Sequence, residues 1–82
     1  MTPRQLRWRC RRGTKELDIL LERFVEGGGY ELLDEDGQAA FQRLLEQEDY
    51  LLQEWLIYGS RPTDELRDIV ERVRESHLLP AR

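Results

Sequence analysis

The spacing of apolar residues is the feature that most constrains the fold of this chain. Five apolar residues recur at i, i+3, i+4, i+7 and i+8, a spacing that lines one face of a helix: Leu17, Leu20, Leu21, Phe24 and Val25. Further short stripes of this kind follow along the chain, whereas an alternating strand pattern is conceivable only at residues 30–33. Each stripe needs another stripe to cover it, so the pattern predicts an all-α bundle.

Capping and stop signals in the sequence place the ends of the first two helices. Thr2 and Gln5 are spaced as a capping box, with proline at the first helical position between them. This first helix should end before Gly13. The second helix carries the stripe described above and should stop at the three glycines of residues 27–29.

Three more helices are predicted in the second half of the chain. One begins near Asp34, one at residues 48–49 with its end at Gly59, and one after Pro62 with Thr63 as its cap. Their expected core residues are Ala40, Phe41, Leu44, Leu45, Leu51, Leu52, Leu56, Leu66, Ile69, Val70 and Val73, with Trp55 and Tyr58 in the core or at its edge. We therefore predict a single-domain bundle of about five short helices over residues 1–82, with residues 79–82 as a frayed tail.

Charge is unevenly distributed along the chain. Residues 1–15 contain six basic side chains and no acidic one, whereas the other 67 residues carry seven basic and seventeen acidic side chains, a balance of −10. Such a distribution orients charged partners. An Arg-rich segment could also contact nucleic-acid phosphates, but the acidic remainder would repel a polyanion, so nucleic-acid binding stays an alternative.

Membrane insertion, secretion and catalysis find no support in the sequence. No apolar run approaches the roughly 18–20 residues that span a bilayer, and the Arg-rich N-terminus lacks the apolar segment of a secretory signal. With a single histidine, His77, and a single cysteine, the chain predicts neither a metal site nor a catalytic triad. We therefore expect a non-enzymatic protein without catalytic, metal or cofactor-binding residues.

The cysteine allows two interpretations. Cys10 cannot form an internal disulfide, which suits a reducing compartment, and the expected location is the cytoplasm. Its arginine neighbours would favour the thiolate if the side chain were exposed. Otherwise Cys10 is a small, half-buried packing residue, and a Cys10-linked dimer would be an oxidation artefact of a monomer.

The segment from Trp8 to Asp18, W-R-C-R-R-G-T-K-E-L-D, carries the most specific signal. Its residues Arg12, Gly13 and Glu16 match the R-G-x-x-E motif of the SdhE family of FAD assembly factors, known in mitochondria as succinate dehydrogenase assembly factor 2. A second block resembles the same family: L-L-E-Q-E-D at residues 44–49, followed by W-L at residues 55–56. Together with the chain length and the helix order, the resemblance covers nearly the whole sequence.

Two features depart from the family pattern. Thr14 stands where the family often has methionine, and the triple glycine at residues 27–29 is unusual in the second loop. Neither departure changes the arginine, glycine or glutamate of the motif, so they bear on the fit to a partner more than on membership.

The resemblance implies a function. Proteins of this family bind the flavoprotein subunit of succinate dehydrogenase, and in bacteria also that of fumarate reductase, and promote covalent attachment of FAD to a histidine of that subunit. The FAD belongs to the client, so no tightly bound cofactor is expected in this chain. The alternative is a regulatory interaction module such as an antitoxin, and weak contact with flavin is a further possibility.

Helical geometry suggests where a partner would bind. Stepping about 100° per residue from Leu17 places Glu16, Ile19 and Arg23 on one flank, away from the apolar stripe. We predict that the partner meets Arg12, Gly13, Glu16 and Ile19, and that Arg9 and Arg11 add electrostatic attraction.

Structural roles are the alternative for each of these residues. Arg12 and Glu16 could form a helical i,i+4 pair, Gly13 could only break the helix, and Ile19 could cover a neighbouring helix. Trp8 could either anchor a partner or pack on the bundle.

Overall fold

The computed structural model describes residues 2–78, and within them the fold is all-α. The elements are α1 (Pro3–Cys10), α2 (Lys15–Glu26), α3 (Glu35–Leu45), α4 (Asp49–Leu56), a 3-10 turn (Asp64–Leu66) and α5 (Arg67–Leu78). The prediction of about five short helices is confirmed. The expected tail, residues 79–82, lies outside the described residues. Within residues 2–78, no helix is long and apolar enough to cross a membrane.

The helix starts show how far local signals decide the backbone. The capping box is present, since Thr2 Oγ1 accepts from the Gln5 amide at 3.2 Å and Gln5 Oε1 accepts from the Thr2 amide at 3.1 Å. Asp34 caps α3 by accepting from the Gly37 amide at 2.7 Å. Thr63 also stands at a cap position, but its hydroxyl makes no capping hydrogen bond, so the prediction for its side chain is wrong. The chain begins there with the 3-10 turn that leads into α5.

One continuous core holds the helices together. Helix α5 contacts α2, α3 and α4, so the C-terminal helix closes a core that the earlier helices begin. The buried apolar residues are Leu6, Cys10, Leu17, Leu20, Leu21, Phe24, Phe41, Leu44, Leu45, Leu52, Trp55, Leu56, Leu66, Ile69, Val70 and Val73. Val25, Ala40 and Leu51 are partly buried at its margin. The predicted stripes therefore face the core.

Tyr58 departs from the prediction. Its side chain is 69% exposed, whereas Trp55 is buried as expected. The reason is that α4 ends at Leu56 and the Tyr58 amide donates to the Gln53 carbonyl at 3.0 Å as the chain leaves the helix. Beyond that point helical periodicity no longer decides which way a side chain points.

The connection between α2 and α3 packs tightly on the core. A Cβ at Gly29 would lie 2.6 Å from the Phe24 ring, so only glycine fits there without displacing that ring. The Phe41 ring lies 5.2 Å from Phe24 and 5.6 Å from Tyr30, measured between centroids. Gln42 Nε2 donates to the Tyr30 hydroxyl at 2.8 Å. Residues 30–33 form turns and no strand.

Candidate partner-binding site at the turn between the first two helices

Residues 11–14 connect α1 to α2, and we call them the motif turn. Gly13 adopts a φ of 83°, in the left-handed region that glycine enters without penalty. A Cβ at this position would meet no atom within 4 Å. The turn therefore needs glycine for its backbone conformation, while the space around Gly13 stays open.

The Arg12 side chain points into the molecule from this turn. Its Nε donates to Asp49 Oδ1 at 2.8 Å. Nη1 donates to the Leu45 carbonyl at 2.6 Å and to the Arg9 carbonyl at 3.3 Å, and Nη2 donates to the Gln47 carbonyl at 2.6 Å. The side chain is only 15% exposed. Four of the five guanidinium N–H donors are thus used inside the protein.

Two further hydrogen bonds hold the backbone and the end of the turn. Asp18 Oδ1 accepts from the Arg12 amide at 2.5 Å. Gln53 Nε2 donates to the Thr14 hydroxyl at 3.3 Å. The motif turn is therefore fixed against α2 by Asp18 and against α4 by Gln53 and Asp49.

The predicted flank of α2 is exposed. Glu16, Ile19 and Arg23 all face away from the buried stripe, and Ile19 is 40% exposed. The alternative that Arg12 and Glu16 form a helical i,i+4 pair is wrong, because Arg12 precedes α2 and forms its ion pair with Asp49. Glu16 presents its carboxylate at the surface of the first turn of α2.

The basic residues of the motif lie on a different side of α2. Arg11 Nε lies 3.6 Å from Glu22 Oε1, and both side chains keep substantial exposure. At about 100° per residue, Glu16 is about 160° around the helix from Asp18, which holds the Arg12 amide. The structure therefore separates the predicted residues into two groups: Arg11 and Arg12 on the Asp18 side of α2, and Glu16 on the opposite side.

Trp8 lies at the surface beside the basic residues. Its side chain is 75% exposed, so packing on the bundle, one of its two interpretations, is wrong. The indole lines a shallow, open depression together with Gln5, Arg9, Arg11 and Arg12. An exposed indole among arginines combines a large apolar contact area with positive charge.

Cys10 contributes packing and no reactive thiolate. Its side chain is fully buried, more than the half-burial expected. Burial raises the pKa of the Cys10 thiol to about 12, and the carboxylates of Glu22 and Asp18 act in the same direction, while Arg12 opposes them. The thiolate interpretation is wrong, and oxidation to a linked dimer would first require this end of α1 to open.

Asp18 and Asp49 are the site residues that sequence reasoning missed. Asp49 was expected only to begin α4, and it is separated from Arg12 by 37 positions, so no local pattern links them. Asp18 stands within the family-like string, and an acid in the first turn of a helix that follows a glycine turn was the available signal. Within residues 2–78, no group of three histidine, cysteine, aspartate or glutamate side chains could hold a metal ion.

Comparison with known proteins identifies the family. Residues 4–77 match the family model described as the flavinator of succinate dehydrogenase. The chain is 38% identical over 76 residues to the FAD assembly factor SdhE of Coxiella burnetii, a match that covers 92% of each chain. It is 40% identical over 70 residues to the protein of the same name from Legionella pneumophila strain Paris, covering 85% of this chain and 87% of that one. The corresponding Shewanella oneidensis protein is 44% identical over 71 residues, covering 85% of each.

No solved structure matches the chain. The matched region nevertheless contains the motif turn, Asp18 and Asp49, together with the buried stripes that position them. This protein belongs to the family of succinate dehydrogenase flavinators that includes the FAD assembly factors SdhE.

Proposed function

We propose that this protein promotes covalent attachment of FAD to the flavoprotein subunit of succinate dehydrogenase by binding that subunit transiently. The observation that carries the proposal is the family match over residues 4–77, which includes the R-G-x-x-E motif. The flavoprotein subunit of fumarate reductase is a second client in the proposal.

In this proposal the chain is a binding partner and not an enzyme. The flavin and the client's own groups carry out the chemistry, and no FAD is held tightly by this protein. Its contribution is to stabilise a client conformation in which attachment is favourable, so its effect depends on how well it binds that conformation.

The exposed flank of α2 has the composition of a small contact surface. Ile19 supplies apolar area, and Glu16 and Arg23 flank it with opposite charges. An apolar centre with a charged rim is typical of protein interfaces, since the centre contributes affinity and the rim sets orientation. The structure supports this surface through the exposure of all three side chains.

The basic edge around Trp8 adds long-range attraction. Arg9 and Arg11 are exposed beside the indole, and residues 1–15 contain no acid. An acidic region of the client would be attracted there, with a rate advantage that falls as salt rises. We propose that the protein acts as a monomer in the cytoplasm, with one such surface per chain.

Complementation of a deletion strain tests the function. Covalent flavin on the client is measured by in-gel fluorescence, and tagged protein is used to co-purify the client. The wild-type chain should restore the flavin signal and recover the flavoprotein subunit. Glu16→Ala should reduce both while its circular dichroism remains helical, because Glu16 is exposed.

Glu71→Ala is the matched control, since Glu71 is an exposed acid on a different helix, α5. It should behave as wild type. Unchanged flavin in the deletion strain would refute the proposal and return the antitoxin and nucleic-acid interpretations to first place. Loss of helicity in Glu16→Ala would instead make that residue structural.

A further inference from the structure

The motif arginine faces inward, and its partners belong to the other half of the chain. We infer that Arg12 is a positioning residue: it fixes the motif turn against the connection between α3 and α4, and it does not itself bind the client. The inference rests on the proposed function, because the turn that Arg12 fixes leads directly into α2, whose exposed flank is the proposed client surface.

The guanidinium has little capacity left for a partner. A partner carboxylate bound in a fork requires two parallel N–H donors, which is the arrangement that makes arginine specific for carboxylates. On Arg12, four of five N–H groups already donate to Arg9, Leu45, Gln47 and Asp49. One remaining N–H on a side chain that is 15% exposed does not make such a fork.

The acceptors explain why an arginine stands here. Leu45 ends α3, and the last carbonyls of a helix have no partner within the helix. Arg12 satisfies the Leu45 carbonyl and the nearby Gln47 carbonyl, and its charge is balanced by Asp49 in the first turn of α4. Lysine would keep the ion pair but could not reach both carbonyls in one plane.

The consequence is a link between distant parts of the chain. The three long-range bonds of Arg12 span 33 to 37 positions, and they join the motif turn to the end of α3, the α3–α4 connection and the start of α4. Without them, the turn would lose its link to the second half of the chain except for the Thr14–Gln53 bond, and Gly13 would be freer to sample other conformations. Client binding would then have to order the turn, which lowers affinity.

The test combines amide hydrogen exchange with client affinity. Arg12→Ala, Asp49→Ala, Asp49→Asn, Arg12→Lys and the double alanine variant are compared. Arg72→Ala and Asp36→Ala are the controls, because both residues are exposed, Arg72 lies on α5 outside the basic segment, and Asp36 stands in the first turn of α3 as Asp49 does in α4. Affinity is measured with the purified, flavin-free flavoprotein subunit of succinate dehydrogenase.

Arg12→Ala should speed exchange at residues 13–16 and 47–49, leave the α2 and α5 core protected, and weaken client binding about tenfold. Asp49→Ala should act in the same direction with a smaller effect. The double variant should resemble Arg12→Ala alone, because the two residues act through one interaction. Arg12→Lys should recover part of the affinity, and the controls should match wild type.

Two outcomes overturn the inference. Weaker client binding with unchanged exchange, together with an inert Asp49→Ala, would mean that Arg12 contacts the client directly. Faster exchange throughout α2 and α5, in Arg12→Lys and Asp49→Asn as well as in Arg12→Ala, would mean that Arg12 supports the whole fold. A wild-type protein that fails to bind the subunit would overturn the proposed function instead, and the exchange data would still decide whether Arg12 fixes the turn.

Discussion

The two connections that flank α2 are held in place by different physics. The motif turn, before α2, is fixed by hydrogen bonds that Arg12 donates, among others to Asp18 and Asp49, and it has an exposed glycine with open space around it. The connection after α2 is fixed by packing, with Gly29 against the Phe24 ring and Tyr30 against Phe41.

The difference distinguishes a turn that can present residues to a partner from a connection that supports the core. Polar bonds hold the motif turn in one conformation while Gly13 stays accessible to a partner. Packing instead makes the α2–α3 connection part of the core, where a change of side-chain shape strains the surrounding helices. Substitutions in the two connections should therefore differ in how much stability they cost and in how far through the bundle their effects extend.

The largest effect is expected at Gly29. In Gly29→Ala the new methyl group would meet the Phe24 ring at 2.6 Å and the Phe24 carbonyl at 2.8 Å, so we expect a loss of about 1–3 kcal/mol in the free energy of unfolding. Urea unfolding followed by circular dichroism measures it. Phe24→Leu makes room beside the methyl group, so the double variant should lose less than the sum of the two single ones. Strict additivity would contradict the packing account.

A smaller effect is expected at Gly13. The Gly13 φ is 83°, and an added Cβ would meet no atom beyond its chain neighbours within 4 Å. Gly13→Ala should therefore lower the free energy of unfolding by about 1–2 kcal/mol from backbone strain alone. Gly13→Asn should cost less, since asparagine tolerates the left-handed region. Equal losses for alanine and asparagine would argue against strain as the cause. If the well-folded asparagine variant still binds the client at full affinity, the client does not approach Gly13 closely.

The smallest effect on stability is expected at Arg11. Its ion pair with Glu22 is 3.6 Å long and exposed, so Arg11→Ala should change the free energy of unfolding by less than about 1 kcal/mol. Its effect should appear in the client association rate, as a decrease at low salt that disappears at high salt. A salt-independent decrease would mean that Arg11 contacts the client directly. A large loss of stability would mean that Arg11, like Arg12, helps to hold the fold.

Much of the fold could be predicted from the sequence because its determinants are local. The capping box at Thr2, the cap at Asp34 and the apolar periodicity of α2 each involve residues within a few positions of one another. The same periodicity predicted that Glu16 and Ile19 would face outward. Where the helix ended earlier than expected, after Leu56, the prediction for Tyr58 failed with it.

The sequence by itself therefore determined the helices, their caps and the exposed flank of α2, since these follow from neighbours along the chain. Only the tertiary structure decided that Arg12 turns inward to Asp49, that Cys10 is buried with a raised pKa, and that Trp8 is left outside. The physical reason is that each depends on how separate elements pack together. The inward turn of Arg12 depends on carbonyls and a carboxylate 33 to 37 positions away, and the burial of Cys10 and exposure of Trp8 depend on how α1 packs on α2. No local pattern encodes either choice.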